Sequence, residues 1–316
     1  MFFVENRNLI YKLIGGLAVV AAGALILWGL VFGIEFTGGT IFEVAYDNDR
    51  PAKELLEEQI EQLDLGGFSL RPSNDDGYML RTRDVTEEEF SGIRTALDVE
   101  GAGLVEKRRA TVGPVIGEEL KNKAFVAIGV VVLLIILYVA FAFRNVQQHD
   151  AGDEDAESEP GVSSWKYGLI AIFVLGHDLL IPLGLFAVLG HFLGAEVDVL
   201  IVMALLTILG YSVNDTIVIF DRVRENLLKN KEGDVEEEFA ATVGRSLSQT
   251  YARSINTSLT TLLVVLSLLI FGGPTTTYFA LTLAAGVLAG TYSSLALAAP
   301  LLVTVAERHA AKKQEA

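Results

Sequence analysis

The sequence predicts an α-helical polytopic membrane protein, with six transmembrane helices and a ferredoxin-like βαββαβ domain outside the membrane. Three observations carry this expectation. Hydrophobic residues make up 51% of the 316-residue chain, with 30 glycines besides. The mean hydropathy is +0.44 although 20% of the residues are charged, which requires apolar and charged residues to be segregated along the chain. They are. Stretches near 9–33, 124–143, 167–193, 198–221, 255–271 and 276–305 are apolar enough and long enough to cross a bilayer as helix, for which about 20 residues suffice. Finally, residues 35–123 are polar and carry strand and helix patterns.

The composition also excludes several classes. Segregation of this kind does not fit a disordered chain, a coiled coil or an ordinary soluble globule. Cysteine is absent, so no disulfide, thiolate metal site or cysteine nucleophile is possible. Four histidines argue against a dense metal site. A net charge of −16 argues against a nucleic-acid partner, because phosphate contacts need a basic face. No P-loop, nucleophile elbow or metal-ligand cluster is visible. No enzyme activity and no cofactor are therefore expected.

Taken in order, residues 1–34 hold the N-terminus and the first span. The apolar run from Leu13 to Gly33 is too long for a signal peptide and reads as an anchor. The domain at 35–123 follows. Ile41–Tyr46 alternates and is rich in β-formers. Pro51 opens a helix through Leu63, since proline suits the first helical turn. Strands at Phe68–Pro72 and Tyr78–Arg83 flank the turn residues Ser73-Asn74-Asp75-Asp76-Gly77. Thr86 and Glu89 have capping-box spacing for a helix ending near Val99, and Leu104–Val112 is the last strand. The order βαββαβ is that of the split ferredoxin-like unit.

Span two (124–143) leads into a loop at 144–166 bearing Asp150, Asp153, Glu154, Asp155, Glu157 and Glu159, which reads as a disordered, solvated linker. Spans three and four occupy 167–221. In the segment 222–254, Val235, Phe239, Val243 and Leu247 recur every fourth residue, one helical stripe. Asp234 and Glu237 stand where they could cap it. This helix is expected to lie at the membrane interface or to pack under the bundle. Spans five and six occupy 255–305, and 306–316 is a tail. Thirteen of the 24 Lys and Arg residues fall on the side holding both termini, and the two short loops opposite, near Glu196 and Gly272, carry none. By the positive-inside rule both termini are cytoplasmic, and residues 35–123 lie outside the cell membrane.

A charge at the bilayer centre costs about 2.5–3.5 kcal/mol on insertion scales, so intramembrane ionisable residues are functional candidates. Span three carries His177 and Asp178, with Pro182 four residues on. The proline removes the helical partner of the Asp178 carbonyl, which suits a hinge or a hydrated cavity. The plainer alternative is a tolerated proline with Asp178 bonded to a neighbouring helix. Span four carries Tyr211, Ser212, Asn214 and Asp215. Desolvation there favours the neutral acid and an approaching guanidinium favours the carboxylate, so Asp215 can exchange a proton as helices move. A structural interhelical contact is the alternative. Arg253 opens span five ahead of Asn256, Thr257, Ser258, Thr260 and Thr261, as a partner for Asp215 or as an ordinary positive-inside anchor. In span six, Thr282, Gly286, Gly290, Ser294 and Ala298 form a small-residue stripe that lets a helix approach closely.

These residues resemble the SecF branch of the SecD/SecF family. Gly210-Tyr211-Ser212-Val213-Asn214-Asp215-Thr216-Ile217-Val218, with Asp221-Arg222-Val223-Arg224-Glu225-Asn226, is similar to the family's fourth-span signature. Gly33-Ile34-Glu35-Phe36-Thr37-Gly38-Gly39 resembles the motif closing the first span, with Glu35 where the family usually has Asp. Val112-Gly113-Pro114-Val115-Ile116-Gly117, His177-Asp178, Arg253 with its following hydroxyls, and Phe271-Gly272-Gly273-Pro274 resemble further motifs in the same order. The resemblance implies a bundle related to half of an RND-type transporter, paired with a SecD-like subunit. It implies work beside a SecYEG-type translocon on a translocating polypeptide among membrane lipids, driven by the proton-motive force in late translocation. It also implies Asp215 as proton carrier with Arg253 coupled to it, and Asp178 and Asn214 as further members of the pathway. Glu35, Gly38, Gly39, Gly210 and Pro182 enter as structural or motif positions. The residues by themselves leave open sodium as the coupling ion, a non-transporting scaffold, and an RND-like transporter of small solutes.

Overall fold

The computed structural model describes residues 2–73, 76–142, 164–233 and 235–314. In chain order its elements are α1 (Phe2–Glu5), α2 (Arg7–Trp28), α3 (Ile34–Thr37), β1 (Gly39–Tyr46), α4 (Lys53–Glu61), β2 (Phe68–Ser73), β3 (Gly77–Thr82), α5 (Glu87–Leu97) and β4 (Leu104–Val112). Then come α6 (Pro114–Ala142), α7 (Ser164–Leu193), α8 (Val199–Glu232), α9 (Phe239–Phe271), α10 (Pro274–Ser293), a π-helical turn (Ser294–Ala298) and α11 (Ala299–Gln314). They fall into two compact units. One is drawn from Met1–Val31, Ala127–Ala195 and Leu200–Ala316, the other from Phe32–Val126 and Glu196–Val199. The acidic loop expected at 144–166 lies outside the described residues apart from 164–166, which begin α7. Asn74, Asp75 and Asp234 also lie outside them.

Among the described residues, six helices are long and apolar enough to cross a membrane. Their ends differ from the apolar runs for identifiable reasons. Helix α2 stops at Trp28, short of Gly33, because Gly29 turns to φ +66°, a left-handed conformation that a helix cannot continue. Helix α7 runs unbroken through Pro182. The amphipathic stripe is not a separate helix. Phe239, Val243 and Leu247 form the first turns of α9, while Val235 precedes the helix and is exposed. The stripe packs on α8, where fully buried Val243 and Leu247 share a core with Ile219, Phe220 and Val223. Polar contacts lock the pair. Asn226 Nδ2 donates to Ser246 Oγ at 2.8 Å and to Gln249 Oε1 at 2.9 Å, and Arg222 Nε donates to Gln249 Oε1 at 2.6 Å. Glu237 caps no helix; its Oε2 accepts from Thr242 Oγ1 at 2.8 Å and Arg245 Nη2 at 2.6 Å.

Close helix approach depends on glycine. A Cβ on Gly286 would lie 2.2 Å from Ile208 Cδ1, and one on Gly290 3.0 Å from Ser212 Cβ. The small-residue stripe of the sixth span is thus the seam between α10 and α8. A Cβ on Gly184 would lie 2.6 Å from the Cα of Ala21, so α7 meets the backbone of α2 directly.

The smaller unit has the sheet order β2-β3-β1-β4 with every neighbouring pair antiparallel. That places β3 between β1 and β2, as in the split βαβ unit. Alternate β1 residues Phe42, Val44 and Tyr46 join Leu56 and Ile60 of α4 and Phe90, Ile93 and Leu97 of α5 in one core. The buried Tyr46 hydroxyl donates to the Leu97 carbonyl at 2.9 Å, and burial pushes its phenol up to about 12. At the start of α5, Thr86 Oγ1 accepts from the Glu89 N–H at 3.3 Å and Glu89 Oε2 accepts from the Thr86 N–H at 2.9 Å, a complete capping box.

Two outcomes test this packing. Gly184→Ala is expected to destabilise the full chain in detergent or lipid by about 1–3 kcal/mol, the usual cost of overpacking; unchanged thermal unfolding would refute the α2–α7 contact. Second, hydrogen bonds from Arg83 and from the Thr86 N–H hold the Glu89 carboxyl at about 2. The folded value lies below the ordinary 4.5, so the associated stability is present above that pH and is lost as pH falls toward 2. Carboxyl-resolved NMR should show Glu89 titrating near 2 and moving up in Arg83→Ala. A wild-type midpoint in the ordinary carboxylate range would refute it.

Candidate functional site: buried carboxyls of the helical unit

Asp178 on α7 is fully buried. Its Oδ1 lies 3.0 Å from His177 Nδ1, and its Oδ2 accepts hydrogen bonds from Ser212 Oγ of α8 and, at 2.8 Å, from Ser293 Oγ of α10. His177 Nε2 is 3.3 Å from the Tyr292 hydroxyl. A buried carboxyl is tolerable only when its oxygens are satisfied, and here three side chains satisfy them. Of the two sequence readings for Asp178, this geometry has the features of the second, a carboxyl bonded to neighbouring helices. The π-helical turn begins directly after Ser293; such turns widen a helix and frequently mark functional sites.

Asp215 lies one turn along α8 from Ser212, on the same buried face. It is 4% exposed, and its Oδ2 is enclosed without a hydrogen-bond partner among the described residues. That is the energetically open end of the polar interior. Arg253 is exposed and Asn214 is exposed. No ion pair joins Arg253 to Asp215 among the described residues. Nearby on α9, Ser258 Oγ accepts from the Tyr211 hydroxyl at 2.8 Å and from Thr291 Oγ1 at 2.7 Å. The structure therefore gathers Asp178, His177, Ser212, Tyr292 and Ser293 into one network, places Asp215 beside it, and leaves Asn214 and Arg253 outside.

The remaining motif positions have separate roles. In the smaller unit Glu35 Oε2 accepts from the Val199 N–H at 3.0 Å, at the start of α8. Gly38 takes φ +74°, and a Cβ there would lie 2.7 Å from Pro114 Cα. Gly39 takes φ +128°, with Thr82 O 2.6 Å from its would-be Cβ. Nothing crowds Gly210, and nothing in the packing explains it. Arg81 pairs with Glu196 at 2.6 Å and donates to the Phe32 carbonyl at 2.9 Å and Thr37 Oγ1 at 3.0 Å. Among the described residues no cluster of three or more acidic or histidine side chains is placed to hold a metal ion. Sequence reasoning missed Tyr292, Ser293 and Arg81. Each is a common residue type whose partner lies far away in sequence, so no local pattern marks it.

Comparison with known proteins bears on these positions. The profile described as "Protein export membrane protein SecD/SecF, C-terminal" matches residues 95–150 and 163–308, and the "SecD/SecF GG Motif" matches residues 29–49. A protein translocase subunit SecF from Thermobaculum terrenum is 36% identical over 291 residues, covering 89% of this chain and 86% of that protein. The SecF of Vibrio alginolyticus is 37% identical over 281 residues, covering 86% and 79%. The crystal structure of SecDF from Thermus thermophilus, described as a translocon-associated membrane protein, superposes with a TM-score of 0.79 at 30% identity over 98% of this chain. This chain spans 39% of that longer one. With the profile covering most of the chain and the two SecF proteins matched over most of their own length, the chain belongs to the SecD/SecF family of protein-export membrane proteins.

Proposed function

We propose that this chain is a SecF-like subunit of the Sec export machinery. It works with a SecD-like partner beside a SecYEG-type translocon and uses the proton-motive force to promote late translocation of secreted polypeptides. The relatives named as SecF translocase subunits support the export role, and the longer SecDF chain supports a SecD-like partner.

One observation carries the proton reading: Asp215 is a carboxyl buried in a membrane helix, and its Oδ2 is enclosed without a hydrogen-bond partner among the described residues. An unsatisfied buried acid is costly as an anion and much less so as a neutral acid. Its charge state is therefore sensitive to where helices and the Arg253 charge stand. Asp178, with both oxygens engaged, serves as a positioning residue that holds α7, α8 and α10 around the carrier. Asn214 serves at the exposed margin of α8. One proton moved through 100 mV supplies about 2.3 kcal/mol, enough to bias an element with two arrangements. The cytoplasmic termini and extracytoplasmic 35–123 follow from the Lys and Arg distribution. Helix α6 exposes Phe125, Val130, Leu133, Leu137 and Phe141, which suits contact with lipid or with the partner's helices.

The test is a pulse-chase of a secreted reporter in cells whose only copy is Asp215→Asn, at matched membrane levels. Release is expected to slow several-fold, and a protonophore should slow it no further. Normal secretion would make Asp215 structural and bring the scaffold reading forward.

A further inference from the structure

Two contacts fix the register of the α8–α9 hairpin: Arg222 Nε with Gln249 Oε1, and the Tyr211 hydroxyl with Ser258 Oγ. Asp215 lies between Tyr211 and Arg222, and Ser254 lies between Gln249 and Ser258. The two therefore stand at one level of the hairpin. Asp215 is 4% exposed and Ser254 is fully buried.

Ser254 is an exception within its helix. Of the buried hydroxyls on α9, Thr242 donates to Glu237, and Ser246, Thr250 and Ser258 donate to the backbone carbonyl four residues earlier. That back-bonding is the usual way a membrane helix satisfies Ser and Thr. Ser254 Oγ makes no such bond and has no partner among the described residues, the same condition as Asp215 Oδ2. Two unpartnered oxygens, one an acceptor and the other both donor and acceptor, each cost free energy when buried. At one level of two packed helices, such a pair of oxygens has the complementarity that a buried water requires.

We propose that Asp215 Oδ2 and Ser254 Oγ together hold one ordered water between α8 and α9, and that this water is the group through which Asp215 receives and releases its proton. The balance is simple: a protonated water transfers one proton to the carboxylate and remains as neutral water, and the reverse step regenerates it. Asp178 and His177 are engaged with Ser212, Ser293 and Tyr292, and Arg253 is exposed. Ser254 is thus a positioning residue, acting through the water. The assignment rests on Asp215 being the carrier.

Acid-minus-neutral infrared difference spectra of the full chain in lipid vesicles test it. The protonated Asp215 carboxyl band is identified by its loss in Asp215→Asn. In Ser254→Ala this band is expected to shift to higher frequency, as for a carboxyl that has lost a hydrogen bond, and Ser254→Thr should restore it. A water band that moves in heavy-oxygen water should disappear in both Asp215→Asn and Ser254→Ala. An unshifted carboxyl band overturns the proposal. A shift without any water band also overturns it, since the two side chains would then bond directly. Loss of the wild-type band on adding sodium at constant pH would assign the pair to a metal cation and overturn the water. These readings do not depend on secretion. An unshifted band leaves the export role standing, whereas normal secretion in Asp215→Asn cells sinks proton coupling without moving the band.

Discussion

Hydrogen bonds to the Asp178 carboxyl are the constraint around which the helical unit is arranged. A carboxyl with no exposed surface must have its oxygens satisfied from within the protein. The partners come from three helices: His177 on its own helix, Ser212 on α8 and Ser293 on α10. Moving any of the three would leave a buried carboxyl oxygen short of a partner, at a cost of about 1–3 kcal/mol. Asp215 sits one turn from Ser212 on the same helix face, so whatever holds Ser212 also holds Asp215.

That arrangement requires short distances between helices, and glycine supplies them. At Gly290 the α10 backbone comes so close to Ser212 that a single added carbon would meet Ser212 Cβ. A larger residue would push α8 away and lengthen the bond to Asp178. The π-helical turn after Ser293 fits the same requirement, since it resets the helix phase just where a side chain must point at the carboxyl. The α8–α9 hairpin adds a second, more polar fastening through Asn226, Ser246 and Gln249. Membrane helices gain little from the hydrophobic effect on association, so small residues and polar contacts have to provide cohesion.

The smaller unit follows different rules. Helices α4 and α5 cover one face of a four-stranded sheet, and the core is made of alternate strand residues and one stripe from each of these helices. This is ordinary hydrophobic burial, at about 25 cal/mol per Å² of apolar surface. Its irregular points are the Gly38-Gly39 pair, where positive φ and close backbone neighbours exclude side chains, and Arg81, whose guanidinium reaches Glu196, the Phe32 carbonyl and Thr37.

Much of this was legible in the sequence, because periodicity and residue type are local properties. The six apolar spans, the capping box at Thr86 and Glu89, the strand pattern of 41–46 and the small stripe of the sixth span all depend on neighbours within a few residues. The anomalous acids, Asp178 and Asp215, stood out because charge in an apolar helix is rare and costly. Helix ends were less legible: a left-handed glycine ended α2 early, and burial against α8 extended α9 back through the amphipathic stripe. What only the tertiary structure decided is partnership. Nothing near Asp178 in sequence indicates that Ser293 would bond it, and nothing near Asp215 indicates that its Oδ2 would be buried without a partner among the described residues. Sequence by itself determined which groups would be expensive to bury. Packing decided which of those costs would be met by a neighbour, satisfying Asp178 and leaving an oxygen of Asp215 open, because a hydrogen bond requires two atoms within about 3 Å and only the folded chain brings distant residues that close.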